Sequence, residues 1–267
     1  MLKDITIGQY LPGESFVHKL DPRTKIIAAI IFIASLFIID NFFGYIIVVA
    51  FLAGVILNSK VPLKFIFKGL KPIFFLIVLT AVLNLFMTTG SKSTLLFQFG
   101  FIKIYMEGVR TAVFMALRLV FLIIGTSMLT LTTSPIELTD GIEKLLRPIG
   151  KNLAHELAMM MTIALRFIPT LTEETDKIMK AQKARGANFE TGNIVQRAKS
   201  MIPLLVPLFI SSFRRADELA MAMEARCYRG GTGRTRLKQL RFSKLDVVAG
   251  IIMTVLLVAA IAIRILL

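Results

Sequence analysis

The sequence predicts an all-α integral membrane protein with about five transmembrane helices and a cytoplasmic domain of three helices. Hydrophobic residues make up 55% of the 267 positions and the mean hydropathy is +0.74, which is more apolar than a soluble globular domain. The apolar residues are gathered in long runs, and one long polar stretch separates the last run from the others. The single cysteine, Cys227, cannot form an internal disulfide.

Five apolar runs without Asp or Glu predict the membrane spans. They are residues 26–39, 42–57, 72–87, 111–131 and 247–263. Most of these runs are shorter than the roughly 20 residues that cross a bilayer, so we expect flanking polar residues to extend them. Only Asp40 and Asn41 separate the first two runs, which predicts a helical hairpin. Residues 1–20 are polar and lack the apolar core of a cleavable signal peptide.

Basic residues predict the orientation of the chain in the membrane. They flank the first two spans on one side only, at Lys3, Lys19, Arg23, Lys25, Lys60, Lys64, Lys68 and Lys71. This asymmetry predicts a cytoplasmic N-terminus, with loops 40–41 and 88–110 and the C-terminus outside. Residues 132–244 carry 19 Lys and Arg against 11 Asp and Glu and are therefore expected to be cytoplasmic. The net charge of +15 is explained by this topology, so we expect no nucleic acid partner.

The predicted domains follow from these runs. Residues 1–132 form a membrane domain with the first four transmembrane helices, residues 133–244 form a cytoplasmic domain, and residues 245–267 form the last transmembrane helix. In the cytoplasmic domain, Ser134-Pro135 followed by Glu137 predicts a helix start that is closed by a capping box, and this helix ends near Pro148.

Two longer helices are predicted to follow, over about 153–184 and 194–226. Pro169 lies inside the first, and Pro203 and Pro207 lie near the start of the second. Each helix is apolar in its first half and charged in its second. The apolar halves are expected either to pack on each other or in the membrane interface, or to form a surface that docks a partner. The methionine content favours an adaptable docking surface, for which the candidates are Leu157, Met160, Met161, Leu205 and Phe209.

The two long helices end in a repeated pattern. Residues 176–185 and 217–226 share an Asp, one large apolar residue, two Ala and a final Arg. The first copy is predicted to end at Gly186 and the second at residues 228–231. Arg185 and Arg226 suit two roles: compensation of a helix dipole, or insertion of a guanidinium into a socket that is lined by carboxylates or carbonyls. The repetition on two helices favours the second role.

Three motifs together resemble one family, the transmembrane T component of energy-coupling factor transporters, which are ABC-class importers. The tripeptides Ala184-Arg185-Gly186 and Ala225-Arg226-Cys227 look like the paired signature motifs of that family. The segment 10–25 resembles its N-terminal motif, with the candidate positions His18, Asp21, Pro22 and Arg23. The resemblance covers nearly the whole chain. Cys227 stands where Gly or Ala is commoner, which we interpret as an exchange of one small residue for another.

The resemblance implies a scaffold that binds two ABC-type ATPase subunits through the two tripeptides. It further implies that the chain holds a separate substrate-binding membrane subunit, the S component, in the cell membrane of a prokaryote and serves uptake of vitamins or metal ions. On this interpretation the chain is not an enzyme and binds no cofactor, because ATP and Mg²⁺ are bound by the partner ATPases. The residues of the N-terminal motif also suit a structural role, with Asp21 as helix N-cap, Pro22 at the first helical position and Arg23 at the inner interface together with Lys25.

Other chemistries find little support in the sequence. No phosphate-binding loop is present, since the glycines at 230–233 lack the required Lys and are instead expected to connect flexibly to the basic run 234–244. His18 and His155 have no partner at metal-ligand spacing, so no metal site is predicted. A membrane enzyme would need a polar catalytic cluster, which the runs do not provide.

The alternative function is a self-contained secondary transporter. Carriers of this kind bury carboxylates at mid-membrane, and none of the five runs contains one. Arg118 is the one charged residue inside a predicted span, and we expect it to reach the interface or to pair with a polar group such as Asn84.

Overall fold

A computed structural model describes residues 10–88, 95–99, 102–189, 193–231 and 239–266, with the backbone alone at 95–99, 102–104 and 194. The chain divides into two compact units. One comprises Gly8–Gly141 together with Gln239–Leu267, and the other contains Ile142–Lys238. Lys3 and residues 232–238 of the predicted connection lie outside the described residues.

The described residues form an almost entirely helical fold, as predicted. The helices are α1 Pro22–Ile38, α2 Phe42–Ser59, α3 Leu63–Leu70, α4 Phe74–Met87, α5 Met106–Thr132, α6 Pro135–Leu146, α7 Lys151–Ala184, α8 Ile194–Ala225 and α9 Lys244–Leu266. A short 3₁₀ turn at Lys71–Ile73 joins α3 to α4. An antiparallel hairpin of β1 Leu95–Phe99 and β2 Ile102–Tyr105 lies in the region that was expected to be an outer loop.

Four helical stretches are long and apolar enough to cross a membrane. They are Phe42–Ser59, Leu63–Met87, Met106–Thr132 and Lys244–Leu266. The first predicted span folds as α1, which has 17 residues and is shorter than these four. The third span is longer than predicted, because Lys64 and Lys68 belong to α3 rather than to a loop. The fourth begins at Met106, before the apolar run at 111, and so includes Glu107 and Arg110.

Helix α5 is the central element of the membrane unit and packs against α1, α2, α3 and α4, while α9 packs against α1 and α2. The core contains fully buried Leu36 and Val48 together with Leu256 of α9. Gly125 of α5 lies against the ring of Phe32, where an added Cβ would clash. A residue without a side chain therefore permits the close approach of α1 and α5.

The second unit contains the end of α6, from Ile142 onward, and the long helices α7 and α8. The predicted start of α6 is confirmed, since the hydroxyl of Ser134 accepts a hydrogen bond of 3.3 Å from the amide of Glu137. Helices α7 and α8 confirm the two predicted long helices within two residues at each end. The capping box that begins α8, formed by Asn193 and Gln196, was not used in the sequence analysis.

Candidate functional site

The first repeated tripeptide forms the C-terminal cap of α7. Arg185 follows the last helical residue, and Gly186 adopts a left-handed conformation with φ of 87°. The amide of Gly186 donates to the carbonyl of Lys183 at 3.0 Å, and the amide of Ala187 donates to the carbonyl of Gln182 at 3.0 Å. These two bonds define a Schellman motif. The chain therefore leaves the helix axis directly after Arg185, whose side chain is exposed.

The second tripeptide forms the same cap on α8. Cys227 takes the left-handed position, with φ of 54°. Its amide donates to the carbonyl of Glu224 at 2.8 Å, and the amide of Tyr228 donates to the carbonyl of Met223 at 3.0 Å. Arg226 is exposed at the tip of the helix. The helix therefore ends at Ala225, ahead of the predicted break at 228–231.

The third position of each tripeptide is defined by backbone conformation rather than by lack of space. A Cβ added at Gly186 would meet nothing within 4 Å, although its φ is in the region that favours glycine. An L-residue in this region costs roughly 1–2 kcal/mol. Cys227 is therefore strained, and the interpretation of Gly186 and Cys227 as interchangeable small residues is incomplete. The preceding Ala184 and Ala225 are both exposed last residues of their helices.

Helices α7 and α8 run antiparallel. The guanidinium of Arg215 lies 3.2 Å from the carboxylate of Glu174, and the side-chain amide of Gln182 donates to the carbonyl of Pro203 at 3.4 Å. This register places the apolar half of α7 beside the charged half of α8. The two apolar halves therefore do not pack on each other, which removes one of the two structural explanations for them.

The antiparallel register also separates the two arginine tips. Arg226 lines the same cavity as Arg166, which lies in the middle of α7. Arg185 lies 19 positions further along α7, which corresponds to about 28 Å at the helical rise per residue. The unit thus presents two similar tips at well-separated places.

The apolar candidates for docking form two groups rather than one. Leu157 and Met160 are exposed and Met161 is half-buried on the first half of α7. Leu205 and Phe209 are exposed on the first half of α8. Because the helices are antiparallel, the two groups lie at opposite ends of the pair. Their role in docking stays a prediction.

The N-terminal motif builds the start of α1. The carboxylate of Asp21 accepts a hydrogen bond of 2.9 Å from the amide of Arg23 and forms a two-pronged ion pair with the guanidinium of the same residue. Pro22 occupies the first helical position, as predicted. The amide of Asp21 donates at 2.8 Å to the buried carboxylate of Asp246, at the start of α9. Arg23 also lies 3.9 Å over the ring of Phe242, so the motif joins α1 to the entry of α9.

His18 holds the loop that precedes α1. Its Nε2 lies 3.0 Å from the carbonyl of Leu11 and its Nδ1 lies 2.6 Å from the hydroxyl of Ser15. Because a carbonyl only accepts, Nε2 carries the proton and Nδ1 accepts from Ser15. A Cβ added at Gly13 would come within 2.9 Å of the ring. His18 is therefore used fully in a structural role.

Lys25, which was expected to anchor the first span at the inner membrane interface, is buried within the fold, and its position at that interface stays a prediction. Its Nζ donates to the carbonyl of Thr132 at 2.8 Å and to the carbonyl of His18 at 3.1 Å. Lys25 precedes the apolar run of α1, and burial lowers the pKa of its ammonium to about 8, against the opposing effect of Glu137, Asp246 and Asp21. The ammonium thus caps the last carbonyl of α5, that of Thr132.

His155 is a site residue that the sequence analysis missed. Its Nδ1 lies 3.4 Å from the carboxylate of Glu143 on α6, and its Nε2 lies 3.3 Å from the hydroxyl of Tyr228, which follows the α8 tip. A Cβ added at Gly231 would come within 2.7 Å of the ring. Within the described ranges, no group of three His, Cys, Asp or Glu side chains is placed to hold a metal ion.

Arg118 pairs with Asp40 rather than with Asn84. Its guanidinium donates to the Asp40 carboxylate at 2.8 Å and to the carbonyl of Ile39 at 3.0 Å, while the side-chain amide of Asn84 donates to the carbonyl of Thr80. Since Lys25 at the start of α1 contacts Thr132, α1 runs beside only about 21 Å of α5. The tip of the α1–α2 hairpin therefore lies beside the middle of α5.

Comparison with known proteins agrees with this architecture. The family model CbiQ, described as cobalt transport protein, matches residues 13–237. The chain is 65% identical over 267 residues to the energy-coupling factor transporter transmembrane protein EcfT of Clostridium kluyveri, covering 99% of this chain and 98% of that protein. It is 48% identical over 262 residues to the protein of the same name from Bacillus subtilis, with 97% of each chain covered. With such matches over nearly its full length, the chain belongs to the family of transmembrane components of energy-coupling factor transporters.

Proposed function

We propose that this chain is a scaffold that couples ATP hydrolysis by two separate ATPase subunits to the movement of a substrate-binding membrane subunit. The observation that carries the proposal is the pair of identical helix caps that end α7 and α8, each with one exposed arginine directly at the tip. On this proposal ATP and Mg²⁺ are bound by the ATPases, and the chain itself supplies no catalytic residue and no cofactor site.

The geometry of the tips suits docking into two sockets. A guanidinium at a capped helix end is held by a rigid backbone, and its planar fork matches a carboxylate or a pair of carbonyls. Because Arg185 and Arg226 are separated by about 28 Å along α7, one small socket does not accommodate both. Two ABC-type ATPase subunits, each receiving one tip, satisfy this separation.

The antiparallel pair offers a path from the tips to a membrane partner. Closure of the ATPase dimer would move the tips, and the contact of Arg215 with Glu174 would make α7 and α8 move together. The exposed apolar groups around Met160 and Phe209 are candidates for contact with the substrate-binding subunit. The movement would tilt that subunit and release a vitamin or a metal ion inward.

The proposed orientation places the N-terminus and both tips in the cytoplasm of a prokaryotic cell and the C-terminus outside. The starts of α1 and α9 meet through Asp21 and Asp246, and the end of α5 meets α1 through Lys25. These three helix ends therefore share one side of the membrane, as the distribution of basic residues requires.

The experiment that tests the scaffold role is affinity purification of the tagged chain from its native membranes, followed by mass spectrometry. We expect ATPases with phosphate-binding loops and at least one small membrane protein to be recovered with the wild-type chain. Arg185→Glu and Arg226→Glu should each reduce ATPase recovery, and the double variant should reduce it further. Lys180→Glu and Arg197→Glu, exposed on the same helices, are the controls with the same charge change.

Normal ATPase recovery and uptake with both tip variants would contradict the role of the arginines. Recovery of the chain alone, in a form that transports solute in liposomes, would instead establish a secondary transporter.

A further inference from the structure

A cavity of about 630 Å³ opens between α7 and α8. Four arginines line it, Arg166 from α7 and Arg214, Arg215 and Arg226 from α8. We refer to this cavity as the arginine groove. The two tip arginines that were identified from the sequence do not explain this cluster of charge, because Arg226 is the one tip residue among the four arginines of the lining.

The arginine groove carries an excess of positive charge. Arg215 forms an ion pair with Glu174, and Glu218 is the one carboxylate in the described lining. The other three guanidinium groups, those of Arg166, Arg214 and Arg226, therefore outnumber the single carboxylate of Glu218. Clefts that are lined by one sign of charge concentrate ions of the opposite sign. The groove thus selects an anion, and guanidinium forks favour phosphate or carboxylate.

The α7 wall of the arginine groove is apolar on either side of Arg166. Ile163 and Phe167 line it and are half-buried. Exposed Met160 lies on the same helical face at a spacing of three and seven positions from them. An inorganic ion would leave this stripe without an apolar partner. An anionic molecule with an attached hydrocarbon chain satisfies both walls, and clusters of Lys and Arg at the cytoplasmic membrane surface attract anionic lipid head groups.

We propose that the arginine groove binds an anionic phospholipid. Its phosphate would lie between Arg166 and Arg214, and its acyl chain would run along the Met160, Ile163 and Phe167 stripe. The cavity is much larger than one phosphate group and accommodates a glycerol head group as well. The proposal requires the apolar stripe of α7 to lie in the cytoplasmic interface of the membrane, and it does not depend on ATPase coupling.

The test is native mass spectrometry of the full-length chain, delipidated and then supplied with equal amounts of dioleoyl phosphatidylglycerol and dioleoyl phosphatidylcholine. We expect the wild-type chain to retain phosphatidylglycerol preferentially. The double variant Arg166→Gln, Arg214→Gln should reduce this preference about tenfold, which corresponds to a loss of about 1.4 kcal/mol of binding free energy. The matched control, Arg197→Gln with Lys199→Gln, removes the same charge from exposed positions of α8 outside the groove and should keep the preference.

A second measurement uses the wild-type chain and therefore does not depend on whether a variant folds. Photoactivatable phosphatidylglycerol, added to the wild-type chain in phosphatidylcholine nanodiscs, should label the peptide that contains residues 160–167. An excess of inorganic phosphate should not displace the label. Displacement by phosphate would identify a free-anion site and overturn the proposal.

The proposal would also be overturned if the Arg166 and Arg214 variant lost ATPase recovery while its lipid preference was unchanged, since the groove would then be a protein interface. Failure of the tip variants at Arg185 leaves the lipid measurement unaffected, so the two proposals are tested separately.

Discussion

The hydroxyl of Tyr228 lies 3.3 Å from Nε2 of His155 and thereby connects the α8 tip to the first part of α7. Tyr228 also closes the helix cap through its amide, which donates to Met223. The contact continues to α6, because Nδ1 of His155 lies 3.4 Å from Glu143. One side chain therefore links three helices at the Arg226 tip.

Replacement of His155 with Phe should loosen the α8 tip selectively. Phenylalanine keeps a ring against Gly231 but removes both hydrogen bonds of the imidazole. Loss of a hydrogen bond worth about 1 kcal/mol should raise amide exchange at Cys227 and Tyr228 roughly fivefold. The amides of Gly186 and Ala187 in the same sample provide the internal reference, and hydrogen exchange followed by mass spectrometry is the measurement.

The exposed neighbour Glu156 provides the matched control for this variant, since Glu156→Gln alters polarity on the same turn of α7. Equal changes in exchange at both tips, or in both variants, would mean that His155 supports the unit generally rather than the α8 tip.

The left-handed position after each tip arginine should respond in opposite ways to exchange of its residue. Gly186→Ala places an L-residue at φ of 87° and should destabilise the α7 cap by about 1 kcal/mol. Cys227→Gly relieves the backbone strain at φ of 54°, but glycine also has a greater conformational entropy in the unfolded chain. The net effect should be to stabilise the α8 cap by about 0.5–1 kcal/mol. Thermal unfolding in detergent, with amide exchange at each cap, measures both effects. A loss of stability in Cys227→Gly would show that the thiol contributes contacts that outweigh the backbone strain.

Local sequence signals made the helix ends predictable. Contacts between residues that are distant in sequence were not predictable in the same way. The start of α6 at Ser134 and the cap of α7 at Gly186 each depend on residues within five positions of one another, so they can be identified in a single sequence. Cys227 carries no such signal, because cysteine does not favour a left-handed backbone. Its conformation is visible only through the hydrogen bonds that close the α8 cap.

The partners of buried polar groups depend on how far the helices extend. Arg118 was expected to reach the interface or to pair with a polar group such as Asn84. The shortness of α1 instead brings Asp40, 78 positions away, beside the middle of α5. Lys25 resembles an interface anchor in sequence, and its burial follows from the contact of α1 with the end of α5 at Thr132. Neither contact has a local pattern.

Arg118 and Asp40 should behave as a coupled pair. Arg118 is mostly buried and its Nε has no hydrogen-bond partner in the described part of the chain. Removal of the carboxylate in Asp40→Asn therefore leaves a charge beside the middle of a spanning helix, where ionised groups are costly. We expect Asp40→Asn and Arg118→Met each to lower the thermal stability of the chain in nanodiscs.

The double variant Asp40→Asn, Arg118→Met should lose less stability than the two single losses added together, because neither charge is then left alone. Thermal unfolding of the four proteins gives the coupling free energy. Additive losses would show that the ion pair makes no net contribution and that Arg118 acts through its contact with the Ile39 carbonyl alone.

Lys25→Met should weaken the junction between α1 and the end of α5. Methionine has a similar length but donates no hydrogen bond, so the buried carbonyl of Thr132 loses the donor that Lys25 supplies at 2.8 Å. A buried acceptor without a partner costs about 1–3 kcal/mol, and the carboxylates of Asp21 and Asp246 also lose a neighbouring cation. Thermal unfolding in nanodiscs should therefore show a lower midpoint than for Lys19→Met, the exposed control from the same segment.

Protease cleavage between α5 and α6 should increase in the Lys25→Met variant, because the last turn of α5 is no longer held to α1. An unchanged midpoint together with unchanged cleavage would mean that water replaces the ammonium at Thr132 and that the junction depends on Asp21 and Asp246 instead.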